Sequence, residues 1–142
     1  MSALIPFEPE EALRYFRADP QDEAARELVG KVYGELSPVV QPRYTARRFR
    51  CHTESRGGNP PNPDTVVLEG GTAFHSKALA RYVGNSRELF LFGATLGSRV
   101  DSALRRFAVR SVTEAAAGQA VAAALIETYC NQACREIQER LP

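Results

Sequence analysis

The chain has 142 residues, of which 44% are hydrophobic and 25% are charged, and its formal net charge is +1. This length predicts a single domain over residues 1–142 that can bury a core of its own. The composition is ordinary for a soluble globular protein, and the balanced charge argues against nucleic acid as the main partner. The longest uncharged stretch with a helical pattern, residues 115–126, is too short to span a membrane, so we expect no membrane association.

The cysteines and histidines set the expectation for redox environment and metal binding. Cys51, Cys130 and Cys134 form no Cys-x-x-Cys pair, and no secretory signal peptide precedes them, which favours a reducing, cytoplasmic location. Cys130 and Cys134 lie one helical turn apart, yet a zinc site needs four ligands, and His52, His75 and Cys51 are on distant elements. Small buried cysteines are the more common case, so we predict no metal site.

The first third of the chain predicts two helices. Glu8-Pro9 resembles the start of a short helix within residues 1–18. Asp19-Pro20 then predicts a helix from Pro20 to Leu36, with Asp19 as its cap and proline at the first helical position. Its apolar residues recur at four-residue intervals, at Ala24, Leu28, Val32 and Leu36.

The middle of the chain predicts two strands and a short helix. Residues 41–53 alternate between polar and apolar, and the apolar side changes parity near Arg47 and Arg48, where we expect a bulge or a twist. Residues 56–64, RGGNPPNPD, predict a turn-rich connection, with a plain hairpin favoured over a mobile flap. Residues 65–69 predict a second strand, and residues 75–82 a short helix with Gly84 at its end.

Residues 87–108, RELFLFGATLGSRVDSALRRFA, change period from strand to helix. The apolar run 89–92 predicts a central strand that is covered on both faces. Gly93 and Gly97 bracket the turn, and Ser98 with Asp101 forms a capping box at the start of a helix. The turn is either a tight connection or, since helix N-termini attract anions, an anion site. It has neither the lysine of a P-loop nor the third glycine of a dinucleotide fingerprint.

The last element is predicted as one long helix. Ser111 and Glu114 form a capping box, and the helix runs to about Leu141. Gly118 should let a neighbouring element approach closely. The predicted buried face consists of Ala115, Ala122, Ile126, Tyr129, Cys130, Ala133 and Ile137. The chain is therefore predicted to be α+β, with a small twisted, mainly antiparallel sheet packed against helices and a long C-terminal helix.

Two acidic residues are candidates for a functional role. Asp101 already has a structural role as a cap, while Glu127 interrupts an apolar stretch between Ile126 and Thr128. Glu127 is either solvated on the helix flank or part of a site. The sequence spacing brings no nucleophile next to a base, so we name no catalytic residue.

Two segments resemble a known family. They are ALARYVGNSRELFLFGATLGSRVDSAL and AVAAALIETYCNQACREI, and they are similar to the activation domain of cobalamin-dependent methionine synthase in its small stand-alone form. The resemblance covers most of the chain from Glu10 onward. Its most specific part is the ATLG-x-x-V-D piece, residues 94–101.

The resemblance implies a function in methionine biosynthesis. The family's domain is a C-shaped α+β unit that binds S-adenosylmethionine and presents this methyl donor to a cobalamin domain, where cob(II)alamin is reductively methylated. It implies a cobalamin-binding protein or domain as partner, with the methyltransferase chemistry supplied by cofactor and donor. By the same resemblance Asp101 and Glu127 become candidates for contacts to the donor's amino acid portion, and Thr95 and Gly97 lie where the loop would meet its groove.

One family motif is not found in this chain. The S-adenosylmethionine site of the family uses an Arg-x-x-x-Gly-Tyr motif after the long helix, whereas the last glycine here is Gly118. We therefore expect a shortened relative or a fragment, with apolar surface beside the central strand and the long helix that favours self-association or a partner chain. A second hypothesis is a non-enzymatic interaction module of the same fold. A third is a small-molecule domain that uses the turn 93–101 as an anion site.

Overall fold

The chain folds as an α+β protein, as the sequence predicts. The computed structural model describes residues 5–142; residues 1–4 of the predicted domain lie outside the described part. The described residues form five α-helices, a short 3-10 helix at Ser37–Val39 and four strands. In chain order they are α1 (Pro9–Phe16), α2 (Glu23–Leu36), β1 (Arg43–Glu54), β2 (Thr65–Leu68), β3 (Ala73–His75), α3 (Lys77–Val83), β4 (Glu88–Thr95), α4 (Ser98–Arg110) and α5 (Val112–Glu139).

The four strands form one antiparallel sheet in the order β3-β2-β1-β4. Cys51 opposes Leu68 in the pair of β1 and β2, and Val66 opposes Phe74 in the pair of β2 and β3. β1 shows the predicted change of parity, because Arg47 and Arg48 are exposed in succession. The segment 56–64 contains no helix or strand, and β1 and β2 pair directly on either side of it, as in a hairpin connection.

The prediction of a covered central strand is wrong for β4. This strand lies at the edge of the sheet, next to β1 alone among the described strands. Phe90 and Leu91 are 36% and 41% exposed. A continuous apolar run is typical of a strand buried on both faces, but it does not reveal how many neighbours the strand has.

The structure divides into two compact units. The first, called the helical unit, comprises Met1–Tyr44 and Ala94–Pro142, and the second, called the sheet unit, comprises Thr45–Gly93. The prediction of a single domain stays a prediction. The helical unit buries its largest side chains at Leu13, Val29, Val32, Leu36, Phe107 and Val121. The sheet unit has a smaller core of Cys51, Val66, Leu68, Ala80 and Val83.

The start of α2 differs from the prediction. Asp22, and not Asp19, is the cap, and its side chain accepts a hydrogen bond from the Ala25 N–H at 3.1 Å. Asp19 instead closes the preceding turn, where its side chain accepts from the Gln21 N–H at 2.8 Å. An aspartate followed by proline suits both a cap and a turn, so the sequence pattern did not distinguish them.

The region before α3 contains a strand that the sequence analysis missed. His75 ends β3 and does not start the helix as predicted, while Ser76 caps α3 by accepting from the Leu79 N–H at 3.1 Å. Gly84 follows α3 with a φ of 54°, as predicted for its C-terminal glycine. Strand β3 has only three residues, too few for a visible alternation.

Helix α4 begins after Gly97 without any side-chain cap, so the predicted Ser98–Asp101 capping box is wrong. Its buried face is formed by Val100, Ala103 and Phe107, as the spacing predicts. In α5 the predicted cap is confirmed, because the Ser111 side chain accepts from the Glu114 N–H at 3.3 Å.

The buried face of α5 is shifted from the predicted one. Of the seven residues predicted there, Ala133 alone is fully buried. The buried residues are Ala117, Gly118, Ala120, Val121, Ala124, Leu125 and Ala133. In a run that consists mostly of alanine, several faces are equally apolar, and packing selects one of them. Among residues 5–142, no helix combines the length and the apolar character needed to cross a membrane.

Candidate ligand groove

A groove of about 300 Å³ in the helical unit is the candidate functional site. It lies where the end of β4, the turn at Gly97, the first turns of α4 and the middle of α5 meet. The lining residues are Ala94, Thr95, Leu96, Gly97, Val100, Asp101, Leu104, Gln119, Ala122, Ala123 and Ile126. Three of the four predicted site residues, Thr95, Gly97 and Asp101, are therefore brought together in it.

The turn at Gly97 has a defined shape. Gly97 has a φ of 99°, a backbone conformation that residues with a side chain rarely adopt. A β-carbon at this position would lie 3.1 Å from the carbonyl oxygen of Gln41. The Thr95 hydroxyl accepts a hydrogen bond from the Gly97 N–H at 3.0 Å, and the Gln41 N–H donates to the Leu96 carbonyl at 2.8 Å. The positive φ favours glycine here, and a β-carbon would in addition require Gln41 to shift. The sequence does not reveal this close approach of Gln41.

Asp101 gives the groove its charge. The residue is exposed in the first turn of α4, and within residues 5–142 its carboxylate has neither a hydrogen bond nor an ion pair. The other polar side chains in the lining, Thr95 and Gln119, are neutral. A carboxylate without a partner favours a cationic or N–H-bearing ligand group and works against an anion. This arrangement does not support the hypothesis of an anion site in the turn.

Glu127, the fourth predicted residue, does not line the groove. Its carboxylate accepts a hydrogen bond from the Tyr15 hydroxyl and lies 3.5 Å from the Arg14 guanidinium. The hydrogen bond to Glu127 raises the pKa of Tyr15 above its ordinary value, because it stabilises the neutral phenol. Glu127 therefore connects α5 to α1. It borders a separate cleft together with Glu8, Glu11, Arg14, Thr128, Asn131 and Arg135.

Helix α5 contributes one face to the groove, which the sequence pattern does not predict. Gln119, Ala122, Ala123 and Ile126 follow the spacing i, i+3, i+4 and i+7, so they share one helix face. The spacing is visible in the sequence, but the helical pattern predicts Ala122 and Ile126 on the buried face of α5. The small side chains of Ala122 and Ala123 line the groove without filling it, which leaves room for a ligand.

The cysteines and histidines are placed apart from the groove. Cys51 is buried and Cys134 exposed, and burial raises the pKa of the Cys51 thiol. His52 lies 2.7 Å from the Glu54 carboxylate, and His75 lies 3.2 Å from the Thr65 hydroxyl. Among residues 5–142, no three His, Cys, Asp or Glu side chains are grouped to hold a metal ion.

Comparison of the chain with known protein families, with characterised proteins and with solved structures gives no match. The sequence resemblance to the activation domain therefore rests on the residues quoted for it. The groove and its charge are the structural basis for a functional hypothesis.

Proposed function

We propose that the chain is an activation-domain-like protein related to cobalamin-dependent methionine synthase. It binds S-adenosylmethionine in the groove and serves the reductive methylation of a corrinoid held by a partner protein. One observation carries this proposal. All six fixed positions of the ATLG-x-x-V-D piece line the groove, namely Ala94, Thr95, Leu96, Gly97, Val100 and Asp101, whereas the two variable positions, Ser98 and Arg99, do not. A cytoplasmic location is part of the same proposal.

The lining suits the cationic part of the methyl donor. S-adenosylmethionine carries a positive sulfonium and a positive ammonium group, and the Asp101 carboxylate can pair with either of them. Ala122 and Ala123 leave space beside Ile126 for an apolar part of the ligand. The lining contains no arginine or lysine for the donor's carboxylate, and its volume is at the lower limit of typical ligand sites. The groove therefore fits a portion of the donor.

In this proposal the residues of the chain bind and orient, while the donor and the corrinoid supply the chemistry. The hydrogen bond between the Gly97 N–H and the Thr95 hydroxyl keeps the turn in one conformation, which lowers the entropic cost of binding. Asp101 is on the exposed first turn of α4, so a ligand held there is accessible to a partner.

The first prediction concerns binding of S-adenosylmethionine by isothermal titration. We expect the chain to bind the donor, and Asp101→Asn to weaken binding by about tenfold, since one charge-assisted hydrogen bond contributes roughly 1.5 kcal/mol or more. The matched control is Glu127→Gln, which neutralises a carboxylate outside the groove and should leave the affinity unchanged. Loss of binding in Glu127→Gln with full binding in Asp101→Asn would reject the groove as the site.

The second candidate function is a non-enzymatic interaction module of the same fold. The exposed edge of β4 favours it, because Phe90 and Leu91 offer apolar surface to another chain. Titration of S-adenosylmethionine in the presence of a cobalamin-loaded partner domain distinguishes the two functions. No heat in that titration, together with a stable protein complex, would support the interaction module and contradict the methyl-donor role.

A further inference from the structure

The sheet unit has a strand edge with backbone groups available for pairing. The Cys51 N–H donates to the Arg87 carbonyl at 2.9 Å, so the backbone groups of Arg87 point toward β1. In an antiparallel ladder this orientation alternates, and the N–H and C=O groups of Glu88 and Phe90 consequently point to the free edge of β4. Such an edge is a template for the addition of another strand.

The side chains at this edge are apolar. Phe90 and Leu91 are exposed to 36% and 41%, although both belong to the apolar run 89–92. Natural proteins commonly protect an exposed edge with lysine, proline or a bulge within the strand. Residues 88–92 contain neither lysine nor proline, and Glu88 is their one charged residue. The apolar residues 89–92 therefore have no such protection within the strand, which is expected of an edge that another chain covers.

The charge of the sheet unit indicates which kind of segment fits. Thr45–Gly93 contains seven Lys and Arg against four Asp and Glu, which gives a net charge of +3. Each of the four acidic side chains already has a partner in the unit: Glu54 with His52, Asp64 with Arg56, Glu69 with the Arg50 N–H, and Glu88 with Arg48. The positive charge is therefore not neutralised internally.

Two of the arginines lie beside Glu88, the first residue of β4: Arg50 is on the neighbouring strand β1, and Arg87 directly precedes β4. Arg50 and Arg87 border one cleft together with Glu88, and their guanidinium groups have no carboxylate partner among residues 5–142. Glu88 is bonded to Arg48 at 3.0 Å and does not neutralise either of them. Arginine pairs well with the carboxylates of a bound chain, because its planar guanidinium group can donate two parallel hydrogen bonds to the two oxygens of one carboxylate.

We propose that the edge of β4 binds an extended, acidic segment of a partner protein, which adds to the sheet as a fifth strand. Backbone hydrogen bonds to Glu88 and Phe90 provide the pairing, Phe90 and Leu91 cover apolar side chains, and Arg50 and Arg87 select negative charge. A second copy of this chain fits less well, because a symmetric pair of β4 strands would bring the same unpaired arginines together. The proposal uses none of the groove residues and does not depend on methyl-donor binding.

The experiment measures fluorescence anisotropy of a labelled peptide of alternating glutamate and valine with the full chain. Two comparison peptides have the same length: one replaces glutamate by lysine, and the other carries N-methyl groups on alternate residues, so that it cannot pair along one side. We expect binding of the acidic peptide, weakening at high salt, and about tenfold or greater loss for both comparison peptides.

Variants of the chain locate the site. Phe90→Pro removes an N–H that points to the free edge, where proline is tolerated, and should abolish peptide binding. Arg87→Glu and Arg50→Glu should each weaken binding by about tenfold. Lys77→Glu is the matched control, since it makes the same charge change on α3 and should have a smaller effect.

Amide hydrogen exchange of the unmodified chain tests the pairing without any substitution. The acidic peptide should slow exchange at Glu88 and Phe90, while Leu89, which faces β1, changes little. Equal binding of the lysine peptide, or unchanged exchange at Glu88 and Phe90, would overturn the proposal. So would a dimer in sedimentation analysis that Phe90→Pro dissociates, because the second copy would then be the occupant.

Discussion

At the scale of single residues, Gly118 controls how closely α4 approaches α5. A β-carbon at Gly118 would lie 2.8 Å from Cδ2 of Phe107 and 3.0 Å from Cδ2 of Leu104. Overpacking of this kind costs about 1–3 kcal/mol, more than the roughly 1 kcal/mol that alanine gains over glycine in a helix. We predict that Gly118→Ala lowers the free energy of unfolding in urea by about 1 kcal/mol.

Gly30 provides the control for this prediction. It is exposed on α2, and a β-carbon there would meet no atom within 4 Å. Gly30→Ala should therefore raise the free energy of unfolding by about 0.5–1 kcal/mol. Stabilisation by both substitutions would show that α4 and α5 can separate without cost.

Two tyrosines predict a loss of stability at alkaline pH. Hydrogen bonds to Glu127 and Glu136 raise the pKa of Tyr15 and of Tyr44 in the folded chain. Since the folded pKa lies above the unfolded one of about 10, this stabilisation is present below that pH and is lost as the pH rises through the folded pKa. In Tyr15→Phe and in Tyr44→Phe, the free energy of unfolding should therefore decrease less steeply as the pH rises above about 10.

Tyr82→Phe is the comparison for the alkaline measurement, because Tyr82 is 89% exposed. It should leave the slope of stability against pH unchanged. A slope that stays as steep in the Tyr15→Phe, Tyr44→Phe double variant as in the unmodified chain would contradict the assignment.

At the scale of secondary-structure elements, two serines test what a capping pattern means. Ser98 and Ser111 both start an S-x-x-[DE] pattern, but Ser111 alone caps its helix. We predict that Ser111→Ala lowers the free energy of unfolding by about 1 kcal/mol and that Ser98→Ala changes it by less than about 0.5 kcal/mol. Thermal unfolding of both variants checks this, and equal losses would mean that Ser98 also acts as a cap.

The elements show which sequence signals were sufficient. The long helix and the hairpin were predicted within a few residues, because their periodicity and turn residues are local. The edge position of β4 could not be predicted in this way. The number of neighbouring strands depends on strand pairing, and a local sequence pattern does not determine that pairing. The buried face of α5 could not be predicted either, because alanine at many positions makes several faces of the helix equally apolar.

At the scale of the whole molecule, the candidate groove could be predicted in part. Thr95, Gly97 and Asp101 follow one another within seven positions, so a sequence pattern could group them. Glu127 was grouped with them by resemblance, but its side chain extends toward Tyr15, and Ile126 borders the groove instead. Adjacent residues of a helix point in different directions. Packing against the other helices decides which side of α5 faces the groove.

The two units predict different resistance to opening. Among residues 5–142, the connected core cluster of the sheet unit has five buried residues and that of the helical unit has fifteen. We therefore expect amides of residues 45–93 to exchange at lower free energy than those in the core of the helical unit. Val66→Ala and Val121→Ala make the same deletion at fully buried positions of the two cores and should each cost about 1–3 kcal/mol. Amide hydrogen exchange should then show acceleration mainly within the unit that carries the substitution. If either substitution accelerates both sets of amides by the same factor, the chain opens as one cooperative unit, as the single-domain prediction implies.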